Sequence, residues 1–214
     1  MLDTNPQKVY APKDLLAIAF QHQPYFAPGK GYHYSNTNTV LLGLIIEQLT
    51  GKPVEQEFQA RIFKPLGMTE TSLPPRSSST IPDPHPQGYM FGTNDESEER
   101  PPLTGEHAAK ANEMVSAPDD ATDMNPSWGW TAGAAISTLH DLRIWAKALA
   151  TGTLLSPAMQ QQRLTWIATG PAPTAANYGL AVADFNGFIG HDGQLWGFKL
   201  LWPISRRSRP PSWC

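Results

Sequence analysis

Apolar residues recur every three or four positions in several stretches of the chain, and this spacing predicts α-helices. The stretch DLLAIAF follows Pro12, a residue that fits the first turn of a helix, and Asp14 there interacts favourably with the helix dipole. From Asn36 to Thr50 the apolar positions again follow helical spacing, and Gly51 ends the segment. These positions are Val40, Leu41, Leu44, Ile45 and Leu49.

Two further helices are predicted from the same kind of pattern. One has Val54, Phe58 and Ile62 on a common face and is expected to stop before Pro65, because proline removes a backbone donor. The second of these helices follows Thr138. Thr138 and Asp141 have the spacing of a capping box, in which side chains accept hydrogen bonds from free N–H groups of the first turn. Its apolar positions are Leu142, Trp145, Ala146 and Leu149.

The C-terminal part of the chain has the pattern of β-structure instead. The stretch NYGLAVADFNGFIGHDGQLWGFKLL predicts two strands with a tight turn at Asn186 and Gly187, because Asn-Gly is a preferred pair for such a turn. Between residues 74 and 104, prolines interrupt serines and acidic residues, so no regular structure is expected there. Long segments of this kind are usually excursions that cover a site, or disordered.

This order of elements, helices first and strands last, predicts the fold class. We expect an α/β (α+β) fold, in which an α-rich body is docked on an antiparallel sheet. The predicted organisation is a helical subdomain over residues 1–165, which includes the proline-rich excursion, and strands of the sheet over residues 166–200. Residues 201–214 are expected to be an aberrant tail.

The composition narrows the classes of function. Charged residues make up 16% of the chain and the net charge is −3, which does not favour a nucleic-acid partner. The single cysteine, Cys214, excludes an internal disulfide and leaves the compartment open. The run Val40 to Ile46 is too short to span a bilayer, and MLDTNPQKVYAPK lacks the pattern of a signal peptide. We therefore expect no nucleic acid and no membrane segment.

Candidate chemistry lies at Tyr34-Ser35-Asn36, just before an apolar helix. Ser35 is a poor nucleophile candidate, because no serine of the chain is followed by a lysine at the third position. Residues two apart on an extended segment point the same way, so Tyr34 and Asn36 can face one cleft. The alternative is that Tyr34 packs while Asn36, or Thr37, caps the helix.

The surrounding sequence supports the cleft. The stretch PGKGYHYSNTNTVLLGLIIEQLTGKPVEQEFQARIFKPLGMTETSL resembles the serine β-lactamase and penicillin-binding-protein superfamily. It is most similar to the branch of class C β-lactamases, D-alanyl-D-alanine carboxypeptidases and related esterases. The motifs that carry the resemblance are Tyr-x-Asn at Tyr34 to Asn36, Pro-Leu-Gly-Met at Pro65 to Met68, Thr71, and His-x-Gly at His191 to Gly193.

The resemblance implies a role for each matched residue. Tyr34 would assist proton transfer, Asn36 would hold the acyl amide of the substrate, and His191 would be the basic residue of the third motif. The pKa of a free phenol is about 10, so a phenolate at Tyr34 would need cations nearby. Gly193 would let the substrate approach the strand closely, and the N–H of Gln194 would be one oxyanion donor.

Three departures from the family pattern change the expectation. The Ser-x-x-Lys motif, which lies upstream of Tyr-x-Asn in the family, does not occur in the chain, and the family's last strand and helix are replaced by KLLWPISRRSRPPSWC. We therefore expect an incomplete β-lactamase/DD-peptidase-like domain, with only part of the sheet. Asp192 stands where a hydroxyl residue is common, which favours an ester or a neutral amide over a carboxylate-bearing substrate.

Three functions are compatible with these residues. The first is a serine acyl hydrolase acting on a β-lactam, a D-alanyl peptide or an ester through an acyl-enzyme, present here without its nucleophile and inactive by itself. The second is a non-catalytic protein that binds peptides in the same cleft. Metal-dependent hydrolysis through His191 and Asp192 is disfavoured, because the six histidines lack ligand spacing. We expect no cofactor and a small-molecule or peptide substrate.

Overall fold

Helices and an antiparallel sheet form the structure, a computed structural model that describes residues 5–90, 119–170, 176–195, 197–202 and 204–205. The predicted mixed fold class is confirmed, and the helices of the described residues precede the strands that begin at residue 167. The division at residues 165 and 166 stays a prediction. Most of the tail, residues 206–214, lies outside the described residues.

The first two helices are those that the apolar spacing predicts. Helix α1 covers Pro12–Ala19 and helix α2 covers Thr37–Thr50, which ends at Gly51 in the left-handed conformation. Val40 and Gly43 are the buried residues of α2. A Cβ at Gly43 would lie 2.8 Å from the ring of Trp130, so this glycine allows the indole to approach the helix.

The predicted end of the next helix is wrong. Helix α3, Val54–Phe58, continues into a π-helical turn, Gln59–Phe63, and then into helix α4, Lys64–Leu66. The chain therefore stays helical through Pro65. This is possible because Pro65 lies in the first turn of α4, where a missing N–H is tolerated, and the wider π turn precedes it.

The proline-rich excursion contains one short strand at its described end. Strand β1, Tyr89–Met90, pairs antiparallel with strand β2, Asp119–Asp120, which corrects the expectation of no regular structure over residues 74–104. The side-chain hydroxyl of Thr122 accepts a hydrogen bond from the N–H of Gly88 at this pair. Residues 91–104 of the excursion lie outside the described residues.

Helix α5, Leu139–Thr151, begins with half of the predicted capping box. The hydroxyl of Thr138 accepts a hydrogen bond from the N–H of Asp141 at 3.3 Å. The carboxylate of Asp141 turns away from the helix end and accepts bonds from the hydroxyl of Thr71 at 2.7 Å and the N–H of Glu70 at 2.9 Å. Asp141 therefore links the start of α5 to the loop that contains Glu70 and Thr71. Helix α6, Pro157–Arg163, follows.

The C-terminal segment forms more strands than the two that its pattern predicts. One sheet has the order β3-β4-β5-β6-β9 and a second ribbon joins β7 and β8. The strands are β3 (Ile167–Ala168), β4 (Asn177–Tyr178), β5 (Ala183–Phe185), β6 (Phe188–Gly190), β7 (Asp192–Leu195), β8 (Phe198–Leu201) and β9 (Ile204–Ser205). The strands are so short that hydrophobic alternation merges them into longer segments.

The turn at Asn186 and Gly187 is confirmed. Both residues have positive φ, 55° and 94°, as the tight Asn-Gly turn between β5 and β6 requires. Strands β6 and β7 are also continuous in register with β8 and β9, because Ile189 pairs with Ile204 and Asp192 with Leu201. His191 lies at the junction of β6 and β7, and its carbonyl accepts a hydrogen bond from the N–H of Trp202.

Two apolar clusters hold these elements together. The first joins α2 and α3 to the turn at Trp130, and the second joins α5 to the sheet. The buried members of the first are Val40, Val54, Leu73, Trp130 and Ala134. Those of the second are Leu149, Val182 and Ile189. His191 lies where β6 continues into β7, next to the segment that precedes α2.

Candidate active site

Tyr34 and His191 come together in the structure, as the predicted site requires. Tyr34 lies just before α2 and His191 between β6 and β7, and their ring centroids are 5.9 Å apart at an angle of 48°. The side chain of Tyr34 is half exposed, whereas that of His191 is 18% exposed. The histidine is therefore fixed by its surroundings, while the phenol faces solvent.

Tyr178 is a site residue that the sequence did not reveal. Its hydroxyl lies 2.7 Å from Nε2 of His191, and its ring meets that of Tyr34 edge to face at 6.2 Å. Tyr178 also contacts Tyr32, with ring centroids 5.3 Å apart. These four residues, Tyr32, Tyr34, Tyr178 and His191, are called the ring cluster below.

A sequence signal existed for one of the two missed tyrosines. Tyr32 is two residues before Tyr34, so the alternation that paired Tyr34 with Asn36 also places Tyr32 on that side. Tyr178 has no such signal, because it reaches the site from β4, two strands away from β6 in the sheet. Its spacing from His191 along the chain predicts no contact.

Asn36 occupies the N-cap position of α2 without acting as a side-chain cap. Its backbone has helical dihedral angles, and its side chain makes no capping hydrogen bond. The carbonyl of Asn36 accepts bonds from the N–H groups of Thr39 and Val40, so the helix begins through backbone contacts. The alternative interpretation, in which the side chain of Asn36 caps the helix, is not supported by this geometry, and the exposed side chain can face a ligand.

The register of β7 decides where the N–H of Gln194 points. The backbone of His191 bonds to Trp202, and hydrogen-bonded pairs alternate with non-bonded pairs along an antiparallel ladder. Gln194 faces Lys199 three positions further on, so this pair is a non-bonded one. The N–H of Gln194 therefore points away from β8, toward the other edge of β7. Gly193 is two residues after His191 and therefore lies on the same face of the strand.

Asp192 brings a negative charge to the edge of the ring cluster. Its side chain is 71% exposed, and one carboxylate oxygen lies 3.5 Å from Nδ1 of His191. With Gly193 and Gln194 it also lines a shallow depression of about 370 Å³ on the β7–β8 ribbon. Lys199 lines the same depression, so this ribbon carries one charge of each sign, and the negative one, Asp192, is the nearer to His191.

The phenols of the ring cluster keep their protons at neutral pH. Burial, and then the charge of Asp192, raise the pKa of Tyr34 above its ordinary value. Burial also raises the pKa of Tyr32 and, more strongly, that of Tyr178. A phenolate at Tyr34 would need nearby cations that lower its pKa, whereas the described part of the chain raises that pKa.

Neither a cluster of metal ligands nor a membrane-spanning helix occurs in the described ranges. No three side chains of His, Cys, Asp or Glu gather there as metal ligands. None of the helices in those ranges has both the length and the apolarity of a bilayer crossing.

Comparisons with known proteins agree on one family. The profile of the Beta-lactamase family matches residues 2–203. The unguisins hydrolase ungD' of Aspergillus campestris (strain IBT 28561) is 30% identical over 196 residues, which cover 87% of this chain and 33% of that protein. A D-stereospecific amidohydrolase from Streptomyces sp. superposes with a TM-score of 0.81 at 29% identity, covering 96% of this chain and 56% of the other.

A third relative has a ligand in its structure. The D-amino acid amidase from Ochrobactrum anthropi SV3, complexed with L-phenylalanine amide, superposes with a TM-score of 0.68 at 26% identity, covering 90% of this chain and 52% of the other. The chain thus spans a third to little more than half of the length of these relatives. The resemblance drawn from Tyr-x-Asn and His-x-Gly is confirmed: the chain belongs to the Beta-lactamase family, within the serine β-lactamase and penicillin-binding-protein superfamily.

Proposed function

We propose that this chain belongs to a serine acyl hydrolase that acts on uncharged amides or esters. It forms the side of the active site that transfers protons and binds the oxyanion, called the wall below. The observation that carries the proposal is the meeting of Tyr34 and His191 beside β7, from segments more than 150 residues apart. Family membership supports a catalytic interpretation of this contact, because Tyr34 belongs to the Tyr-x-Asn motif and His191 to the His-x-Gly motif.

Each wall residue has a distinct role in the proposal. Tyr34 passes a proton to and from the nucleophile, and Asn36 holds the acyl amide of the substrate. His191 is the basic partner at the ring of Tyr34. Gly193 leaves space for the substrate beside β7, and the outward N–H of Gln194 is one oxyanion donor. The register supports the last role, because that N–H is not used by β8.

Asp192 and the relatives together favour a neutral substrate. A carboxylate within about 4 Å of another carboxylate is disfavoured by roughly 1 kcal/mol in water, and more where the site is partly buried. Asp192 lies at the edge of the ring cluster, so a substrate carboxylate beside it is penalised. The names of two solved relatives, an amidohydrolase and an amidase, fit amide hydrolysis.

Turnover needs a nucleophile that these 214 residues do not supply through the family motif. No serine among them has a lysine at the third following position. We therefore expect the chain to bind substrates without hydrolysing them, and the activity of the whole protein to depend on a serine–lysine pair from outside these residues. A purely binding role for the whole protein is the alternative.

The test uses two ligands that differ only in charge. N-acetyl-D-alanyl-D-alaninamide is neutral, and N-acetyl-D-alanyl-D-alanine carries a carboxylate. We expect the amide to bind to the chain about three- to tenfold more tightly, as measured by titration with NMR detection. Asp192→Asn should remove most of the difference, because it removes the charge and keeps the size.

Two results would contradict the proposal. Equal or tighter binding of the carboxylate peptide would refute the neutral substrate class. Hydrolysis of p-nitrophenyl acetate or of a D-phenylalanine anilide by the chain, abolished by Tyr34→Phe, would show that a nucleophile is present after all. Tyr89→Phe is the matched control, because Tyr89 is equally exposed and lies outside the ring cluster.

A further inference from the structure

Tyr178 is the centre of the ring cluster. Its ring contacts those of Tyr32, Tyr34 and His191, with centroids 5.3 Å, 6.2 Å and 5.6 Å away. The other members each have fewer partners among the described rings of the cluster. Tyr178 is about half buried, so it connects the exposed phenol of Tyr34 to the covered imidazole of His191.

The partners of His191 define the direction of its hydrogen bonds. Nδ1 faces the backbone carbonyl of Asp192, which can only accept, so Nδ1 carries a hydrogen. In the neutral imidazole, Nε2 then has a free lone pair and accepts from the hydroxyl of Tyr178 at 2.7 Å. The raised pKa of Tyr178 agrees with this direction, because the phenol retains the proton that it donates.

We infer that Tyr178 is a positioning residue for His191. Its hydroxyl donates to Nε2 and, together with the carbonyl of Asp192, holds the imidazole in one orientation and one tautomer beside Tyr34. The two bonds lie on opposite sides of the ring, so neither rotation about the ring axis nor a change of tautomer is possible without losing one. The value of this orientation for a substrate rests on the proposed function, but the hydrogen bond does not.

The register of the sheet brings Tyr178 near His191. Tyr178 pairs with Ala183 on β5, and Ala183 pairs with Gly190 on β6, the residue before His191. The contact is therefore made across two strand pairings, between residues 13 positions apart along the chain.

The inference predicts that the lone pair of Nε2 is already occupied in the protein without ligand. The contribution of His191 to the site is then the fixed position of its ring beside Tyr34, and not a free lone pair at Nε2. Loss of the hydroxyl of Tyr178 should release the imidazole from one of its two bonds. A tyrosine that serves only as packing predicts no such release, because phenylalanine keeps the ring.

The experiment is a long-range ¹H–¹⁵N NMR spectrum of the histidine rings in the full chain, recorded near pH 8.5 so that the imidazoles are neutral. The signals of His191 are assigned by their loss in His191→Gln. We expect Nδ1 to be the protonated nitrogen and Nε2 to show the shift of a hydrogen-bonded acceptor. Tyr178→Phe should move the Nε2 resonance toward the value of a free acceptor.

Tyr34→Phe is the matched control. The ring of Tyr34 is also within 6 Å of that of His191, but no hydrogen bond joins the two side chains among those that the structure describes. We expect its Nε2 shift to equal that of the unchanged chain. Equal shifts in the unchanged chain and in Tyr178→Phe would overturn the inference, and so would a proton bound covalently to Nε2.

A second measurement separates this inference from the proposed function. The affinity for N-acetyl-D-alanyl-D-alaninamide should fall about two- to tenfold in Tyr178→Phe, the range expected for one lost hydrogen bond of about 0.5–1.5 kcal/mol. If the Nε2 resonance moves and the chain does not bind the amide at all, the positioning role stands and the proposed function fails. If the amide binds and the resonance does not move, the positioning role fails.

Discussion

Two aromatic regions of the molecule, the surroundings of Trp130 and the ring cluster, are built on opposite principles. Trp130 is 1% exposed, and its indole N–H donates to the carboxylate of Glu55 at 3.1 Å. In the ring cluster Tyr34 is 50% exposed, and its neighbours include the exposed carboxylate of Asp192. The first region excludes water and satisfies its polar atom internally, whereas the second keeps polar groups at the surface.

The difference shows which region stabilises the fold and which is arranged for a ligand. Burial of a large aromatic side chain contributes several kcal/mol, whereas a half-exposed phenol contributes little. Aromatic residues that remain partly exposed in a group, next to a fixed imidazole, are better explained by binding than by packing. The same residue types therefore have different roles, and their solvent exposure distinguishes the two.

The largest contrast is expected from removing one ring in each region. Trp130→Ala should lower the free energy of unfolding by about 3–5 kcal/mol, because it leaves a cavity against α2 and α3. Tyr34→Ala should lower it by less than about 1 kcal/mol, because much of that ring is already in water. Urea unfolding of both variants measures this. A larger loss for Tyr34→Ala would invalidate the comparison.

A smaller effect is expected at a buried charge outside both regions. Asp141 is fully buried and accepts hydrogen bonds from Thr71 and Glu70. Asp141→Ala should cost about 1–3 kcal/mol, because two donors lose their acceptor. Asp14→Ala is the matched control, since Asp14 is also acidic and in a first helical turn but is exposed. Similar losses in both variants would mean that the loop contacts contribute nothing.

The smallest effect is a change of stability with pH in the ring cluster. The pKa of Tyr178 is raised on folding, so the folded chain keeps a proton that the unfolded chain loses near pH 10. The stability from this group is fully present below pH 10 and is lost as the pH rises through the folded pKa. Between about pH 9 and 11.5, Tyr178→Phe should therefore lose less stability than the unchanged chain.

The control for this titration is Tyr89→Phe. Tyr89 is half exposed and lies on β1, away from the ring cluster. The slope of stability against pH in this variant is the reference for a phenol removed outside the ring cluster. If Tyr178→Phe has the same slope as Tyr89→Phe, then the burial of Tyr178 does not couple folding to proton binding. Urea midpoints at several pH values provide the comparison.

Local features of the fold were predictable because they depend on residues close in sequence. Helical spacing located α1 and α2, the pair Thr138 and Asp141 located the start of α5, and Asn186 with Gly187 located a turn. Each depends on backbone geometry over a few residues. Pro65 was misjudged because the π turn that precedes it is not encoded by any single residue.

The exposure of each helix face was not predictable in the same way. Leu49 belongs to the apolar pattern of α2, yet it is 80% exposed, while Gly43 on the same helix is buried. The pattern identifies a helix with an apolar surface. Which part of that surface is covered depends on Trp130, which is more than 80 residues away along the chain and packs on Gly43.

The sequence by itself determined α1, α2, the start of α5, the Asn-Gly turn and the family, because these depend on short motifs and on local spacing. Only the tertiary structure decided that Tyr178 bonds to His191 and that the N–H of Gln194 points away from β8. Both depend on the register of strands, which aligns residues by hydrogen bonding across the sheet rather than by their order. Asp192 directly follows His191 in the sequence, so only its position near Tyr34 was decided by the tertiary structure.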